Sequence, residues 1–96
     1  MQLQFVGKNI DITPALKAFA TEKLQPLQKR FDFIMQINLV LHIENITHIA
    51  EATAHIKGAE IHARAENEDM YKAIEAMIDK LSTQLTKHKE KISEQH

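Results

Sequence analysis

Ala63 to Lys91 reads as a short strand, a tight capped junction and one long helix, and no other stretch restricts the fold as much. Met70, Ile74, Met77, Ile78, Leu81, Leu85 and Ile92 recur at intervals of three and four, so one helical face must pack against a partner surface. Lys80, Gln84, Lys87 and Lys91 fall at i, i+4, i+7 and i+11 and form a single stripe along the opposite side. A helix of roughly 23 residues is about 35 Å long at ~1.5 Å per residue. It presents a basic ridge suited to a large anionic partner, with RNA as the first candidate.

The rest of the chain supplies the surface that this helix needs. Residues 2–6 alternate polar and apolar, which predicts a first strand with Leu3 and Phe5 inward, followed by a turn at Gly7-Lys8-Asn9. Thr13 caps a helix that starts at Pro14, where proline's missing N–H costs nothing. Leu16, Phe19, Ala20, Leu24, Leu27 and Phe31 line one face of it. Pro26 conflicts with the helix interior, because it removes the bond to the Glu22 carbonyl at a cost of about 3 kcal/mol. A kinked helix to about Phe31 is favoured over one that stops and restarts there.

From Ile34 to Glu44 the period becomes two, with Ile37, Leu39, Leu41 and Ile43 on one face. Ala50, Ala52, Ala54 and Ile56 make the inner face of the next strand. Gly58-Ala59 is expected as a two-residue hairpin of type II′, which would set Lys57 opposite Glu60, His55 opposite His62 and Ile56 opposite Ile61. The fold class is therefore α+β: a single β-α-β-β-β-α domain with a four-stranded sheet and both helices on one face. The first helix joins two parallel neighbouring strands, and the other strands form an antiparallel meander. Small inward alanines let the long helix sit close. The domain is expected to span 1–92, with 93–96 a frayed tail.

Ninety-six residues fit one domain, and 44% hydrophobic content suits a chain that folds alone. The chain has no cysteine, which excludes disulfides, thiolate metal sites and thiol catalysis. No apolar run approaches a membrane span and no signal peptide opens the chain, so a cytoplasmic protein is expected. The net charge of −1 hides an uneven distribution. Residues 1–43 carry five basic and three acidic groups, 44–79 carry three and eight, and 80–96 carry four and two. No nucleophile elbow, phosphate loop or paired-carboxylate signature is present, which argues against an enzyme and against a cofactor.

Thr47-His48, Ala52-Thr53, Glu60-Ile61-His62-Ala63, Asp69-Met70-Tyr71-Lys72-Ala73-Ile74 and Asp79-Lys80-Leu81-x-x-Gln84-Leu85-Thr86-Lys87-His88-Lys89, with the opening Met-Gln-Leu, carry a resemblance. Over essentially the whole chain the sequence resembles the bacterial ribosome hibernation-promoting factors, also called sigma-54 modulation proteins or ribosome-associated inhibitors. The resemblance implies a domain similar in outline to double-stranded RNA-binding domains. It would bind the small ribosomal subunit, its RNA and proteins, in the channel used by messenger and transfer RNA. There it would block initiation on idle ribosomes in stationary phase or starvation. Some members promote inactive ribosome dimers, with a second dimerising factor as a further partner, and others oppose them. The chain resembles a short, dimer-promoting form.

The candidate rRNA-binding residues are Lys80, Gln84, Lys87, His88, Lys89 and Lys91, extended by Lys23, Lys29 and Arg30 of the first helix and by Arg64. Each lysine reads phosphate as a point charge rather than sequence. Two roles compete for Arg64, contact with RNA and pairing with Glu66 or Glu51. Tyr71 either stacks on a base or, the favoured role, packs at the sheet edge. His42, His55 and His62 share the outer sheet face, where surface histidines are a better reading than a Zn²⁺ site without a third ligand. His48 falls in a loop. Asp69 suits the free N–H groups at the start of the long helix. A generic double-stranded RNA-binding module, a factor that stabilises idle single ribosomes, and a metal- or metabolite-binding regulator are the rival functions. No membrane and no small-molecule substrate is expected.

Overall fold

The computed structural model describes residues 2–93, with side chains to Lys91, so Ile92's packing and the tail from 94 onward lie outside the described residues. The elements run β1 (Gln2–Lys8), α1 (Pro14–Arg30), β2 (Ile34–Glu44), β3 (Thr47–Ile56), β4 (Ala59–Asn67) and α2 (Met70–Ser93). The sheet order is β1-β2-β3-β4. β1 pairs with β2 in parallel, and β2–β3 and β3–β4 are antiparallel. This is the α+β fold that the periodicities predict.

Local chemistry explains the boundaries. Thr13 caps α1 by accepting a hydrogen bond from the Leu16 N–H at 3.1 Å, ahead of Pro14 at the first turn. The helix continues through Pro26 to Arg30, and the N–H of Phe31 closes it on the Leu27 carbonyl at 2.9 Å. At the start of α2, Asn67 Oδ1 accepts from the Asp69 N–H (3.0 Å) and Asp69 Oδ1 from the Tyr71 N–H (2.9 Å). Asp69 thus satisfies a free donor where the helix dipole favours negative charge.

Both helices pack on one face of the sheet. Leu16, Ala20, Leu24 and Leu27 of α1 and Met70, Ile74, Met77, Leu81 and Leu85 of α2 share one core with Ile37, Leu39, Leu41, Ala50, Ala52 and Ala54. Ala52, Ala54, Ala63 and Ala65 are buried, and their small size allows the close approach of α2. Burying each leucine or methionine here contributes about 1.5–3 kcal/mol.

Three expectations are corrected. β1 extends to Lys8, because Gly7 and Lys8 keep pairing with Leu41 and His42, and the chain turns only at Asn9, φ 61°. Gly7 is required there: a Cβ would come within 2.4 Å of the Ile10 carbonyl oxygen. The β3–β4 turn is Lys57-Gly58, with Ile56 opposite Ala59, His55 opposite Glu60, Thr53 opposite His62 and Ala52 opposite Ala63. Gly58, at φ 78°, occupies the second central position, as in a type II turn, and not the first. The slide keeps every side chain on its predicted face, since partners change by two residues. Finally, His48 lies in β3 and not in a loop, because Asn45 (φ 57°) turns the chain early enough for Thr47 to pair with Glu44.

Candidate nucleic-acid interface

The two helices run side by side in the same direction. Near their starts Phe19 and Tyr71 meet edge-on, with ring centroids 4.9 Å apart at 82°. Near their ends Lys89 Nζ donates to the Arg30 carbonyl at 3.2 Å, and Arg30 approaches the Thr86 hydroxyl at 3.5 Å. Tyr71 therefore packs on α1 rather than at the sheet edge, although it remains 39% exposed.

Parallel helices bring both negative dipole ends to one end of the molecule, where cations are favoured. Lys29 and Arg30 occupy the last turn of α1, and Lys87, Lys89 and Lys91 the last turns of α2. The β3–β4 turn adds Lys57 at the same end of the sheet. Asp32, Glu60 and Glu90 also belong to this end but do not outnumber the cations. The opposite end collects Asp11, Glu44, Glu66, Glu68 and Asp69 around the helix starts, where they outnumber Lys8, Lys17 and Lys72. A chain of net charge −1 is thus polarised along a body 47 Å long and about 20 Å wide.

The predicted basic ridge divides into two groups by contact. Lys80 Nζ donates to the Arg64 carbonyl at 3.0 Å, and Gln84 Nε2 to the His62 carbonyl at 2.7 Å. Both belong to β4, an edge strand, so these side chains occupy carbonyls that an edge would otherwise present to another strand. Lys87 and Lys91, one and two turns on, are exposed. Lys89 is held by the end of α1, with its ammonium 5.8 Å from the Phe31 ring centroid. Arg30 lies over the same ring at 5.0 Å.

The remaining candidates separate by position. Lys29 is exposed beside Arg30. Lys23 sits 5.6 Å from the Phe19 centroid and lines an inter-helix groove of about 270 Å³ with Arg30, Glu75 and Asp79. Those carboxylates offset its attraction for phosphate. Arg64, on the outer sheet face, pairs with Glu66 at 3.0 Å and Glu51 at 3.8 Å, away from the basic end. His88 approaches Phe33, with centroids 5.7 Å apart. Phe33 and Lys57 escape sequence reasoning. Phe33 falls between the helical and the alternating runs, so neither period places it, and Lys57 belongs to a hairpin whose end of the sheet only the topology fixes.

Two of the outer-face histidines share a carboxylate, since Glu51 lies near His42 and also 3.8 Å from His62 Nε2, while His55 is engaged apart from them. His42 Nε2 lies 3.0 Å from Glu51, His55 Nδ1 3.6 Å from Glu60, and His62 Nδ1 2.9 Å from the Thr53 hydroxyl. His55 and His62 are not cross-strand partners. Among the described residues no group of three His, Asp or Glu side chains is arranged to hold a metal.

Comparison with known proteins agrees with this architecture. The family model described as "Sigma 54 modulation protein / S30EA ribosomal protein" matches residues 3–93. The ribosome hibernation promoting factor of Escherichia coli K12 is 51% identical over 98% of this chain and 99% of its own length. The factor of the same name from Azotobacter vinelandii is 44% identical over 95% of this chain and 85% of its own. Among solved structures, a ribosomal subunit interface protein from Coxiella burnetii aligns with TM-score 0.88 and 38% identity, over 93% of this chain and 98% of that one. The N-terminal domain of Thermus thermophilus Protein Y aligns with TM-score 0.84 and 27% identity, over 92% and 99%. The chain belongs to this Sigma 54 modulation protein / S30EA family of ribosome-associated, non-enzymatic proteins.

Proposed function

We propose that the protein is a ribosome hibernation factor of the cytoplasm that binds the small ribosomal subunit in the messenger and transfer RNA channel. It acts as a folded plug: while it occupies the channel, messenger and transfer RNA cannot, and no bond is made or broken. Stationary phase and stress are the conditions in which such a block is useful, and the silenced ribosomes pair into inactive dimers with the help of a second factor. The observation that carries this reading is the gathering of Lys29, Arg30, Lys57, Lys87, Lys89 and Lys91 at one end of an elongated, polarised domain.

The attraction is counterion release at ribosomal RNA phosphates. About six phosphate contacts would cost roughly a thousandfold or more in affinity between 50 and 200 mM salt, on the scale of duplex DNA. The acidic end disfavours a second RNA surface and so orients the domain in the channel. The 51% identity with a ribosome hibernation promoting factor supports the same assignment.

The test is co-sedimentation with purified small subunits, large subunits and a free RNA duplex across a salt series. Salt-sensitive, one-to-one binding to small subunits, competed by messenger or transfer RNA, is the expected result. Equal affinity for the free duplex would make the protein a general double-stranded RNA binder instead.

A further inference from the structure

We propose that Phe33 and His88 form a platform on which an unpaired RNA base stacks, so that the basic end holds a single-stranded nucleotide rather than the side of a duplex. This rests on the ribosomal RNA reading above and specifies the form of RNA that the patch takes.

The two rings join the α1–β2 turn to the last turns of α2, with centroids 5.7 Å apart and planes tilted by 48°. Behind them Phe31, 1% exposed, meets Phe33 edge-on at 5.9 Å and 66°. The three rings form a graded series: Phe31 is sealed in the core, whereas Phe33 and His88 stay half-buried. An aromatic ring left partly in water forgoes hydrophobic stabilisation that a stacked base would supply.

Cations lie on the same elements, two of them held against the Phe31 ring behind the platform. Arg30 and Lys89 lie 5.0 and 5.8 Å from the Phe31 centroid, and Lys89 is tied to the Arg30 carbonyl at 3.2 Å. Lys87 and Lys91 flank His88 in sequence on the same helix, and Lys29 precedes Arg30. Aromatic faces set among backbone-binding cations are the arrangement by which proteins hold single strands with little regard for sequence, since every base has a π-face. A-form duplexes are gripped through phosphates and 2′-hydroxyls and give a stacking ring nothing to meet.

The test measures small-subunit affinity across a salt series for the parent protein, Phe33→Leu, Phe33→Trp and Lys87→Gln/Lys91→Gln, with each variant's thermal midpoint as the folding control. Phe33→Leu is expected to lose roughly fivefold to a hundredfold in affinity. Its plot of log affinity against log salt should keep the parent slope, because stacking releases no counterions. Phe33→Trp should retain binding. The chain has no other tryptophan, so its fluorescence should change on adding oligoadenylate and not on adding an abasic oligomer of equal charge. Parent-like affinity for Phe33→Leu, or equal fluorescence responses to the two oligomers, would overturn the stacking platform. If the lysine variant alone loses affinity, the phosphate-binding end stands without the platform. Failure of the parent protein to bind small subunits would overturn both.

Discussion

Lys80 donates its ammonium hydrogen bond to the backbone carbonyl of Arg64, 3.0 Å away, and so turns a lysine of the basic stripe into a clasp on the sheet edge. Gln84 repeats the contact one turn later at the His62 carbonyl. Both contacts are exposed, so each is worth about 0.5–1.5 kcal/mol. Lys80→Met and Gln84→Leu should each lower unfolding free energy by about that amount in urea titrations while leaving the salt slope of subunit binding unchanged. A loss of slope with unchanged stability would return these residues to the RNA contact set.

The two glycines test different constraints. Gly58 has open space around an added Cβ but a φ of 78°, so Gly58→Ala should cost about 1 kcal/mol from backbone strain alone. At Gly7 a Cβ would stand 2.4 Å from the Ile10 carbonyl oxygen and 3.1 Å from Ile12. Gly7→Ala must therefore displace the β1–α1 loop, at about 1–3 kcal/mol. Urea midpoints read both, and a neutral Gly58→Ala would contradict the left-handed turn.

Close packing of α2 on small residues makes the core sensitive in both directions. Ala52 is 1% exposed, and Ala52→Leu should destabilise by about 1–3 kcal/mol through overpacking. Leu81 is fully buried, and Leu81→Ala should cost about 2–5 kcal/mol through the cavity it leaves. Differential scanning calorimetry checks both. A stabilised Ala52→Leu would mean that α2 stands further from the sheet.

The Thr13 cap is a local test of how α1 begins. Its hydroxyl oxygen serves the Leu16 N–H at 3.1 Å. Thr13→Ala should lower stability by about 1 kcal/mol, and Thr13→Ser should restore most of it. Far-UV circular dichroism melts distinguish the three proteins.

The element order was legible because each element states its own period. The Thr13-Pro14 start, the alternation from Ile34 to Glu44 and the run Met70–Leu85 each depend on neighbours a few residues away. The hairpin register was harder, because Gly58 satisfies either central turn position and Ile56 pairs acceptably with Ala59 or Ile61. The site was only half legible. Sequence spacing groups Lys80, Gln84, Lys87 and Lys91 into one stripe, yet whether a side chain meets solvent or a β4 carbonyl depends on where α2 lies against the sheet. Charge polarisation also required the fold, since Lys29, Lys57 and Lys87 come together only through topology.

The most direct test of the account compares small-subunit affinity of the parent protein and Lys87→Gln/Lys91→Gln between 50 and 200 mM salt. Neither substitution touches the core, so both proteins should melt together. The variant should bind more weakly at low salt, and its salt slope should fall by about 2, one for each phosphate contact removed. Parent-like affinity and slope would contradict the claim that the end of α2 is the RNA-binding surface.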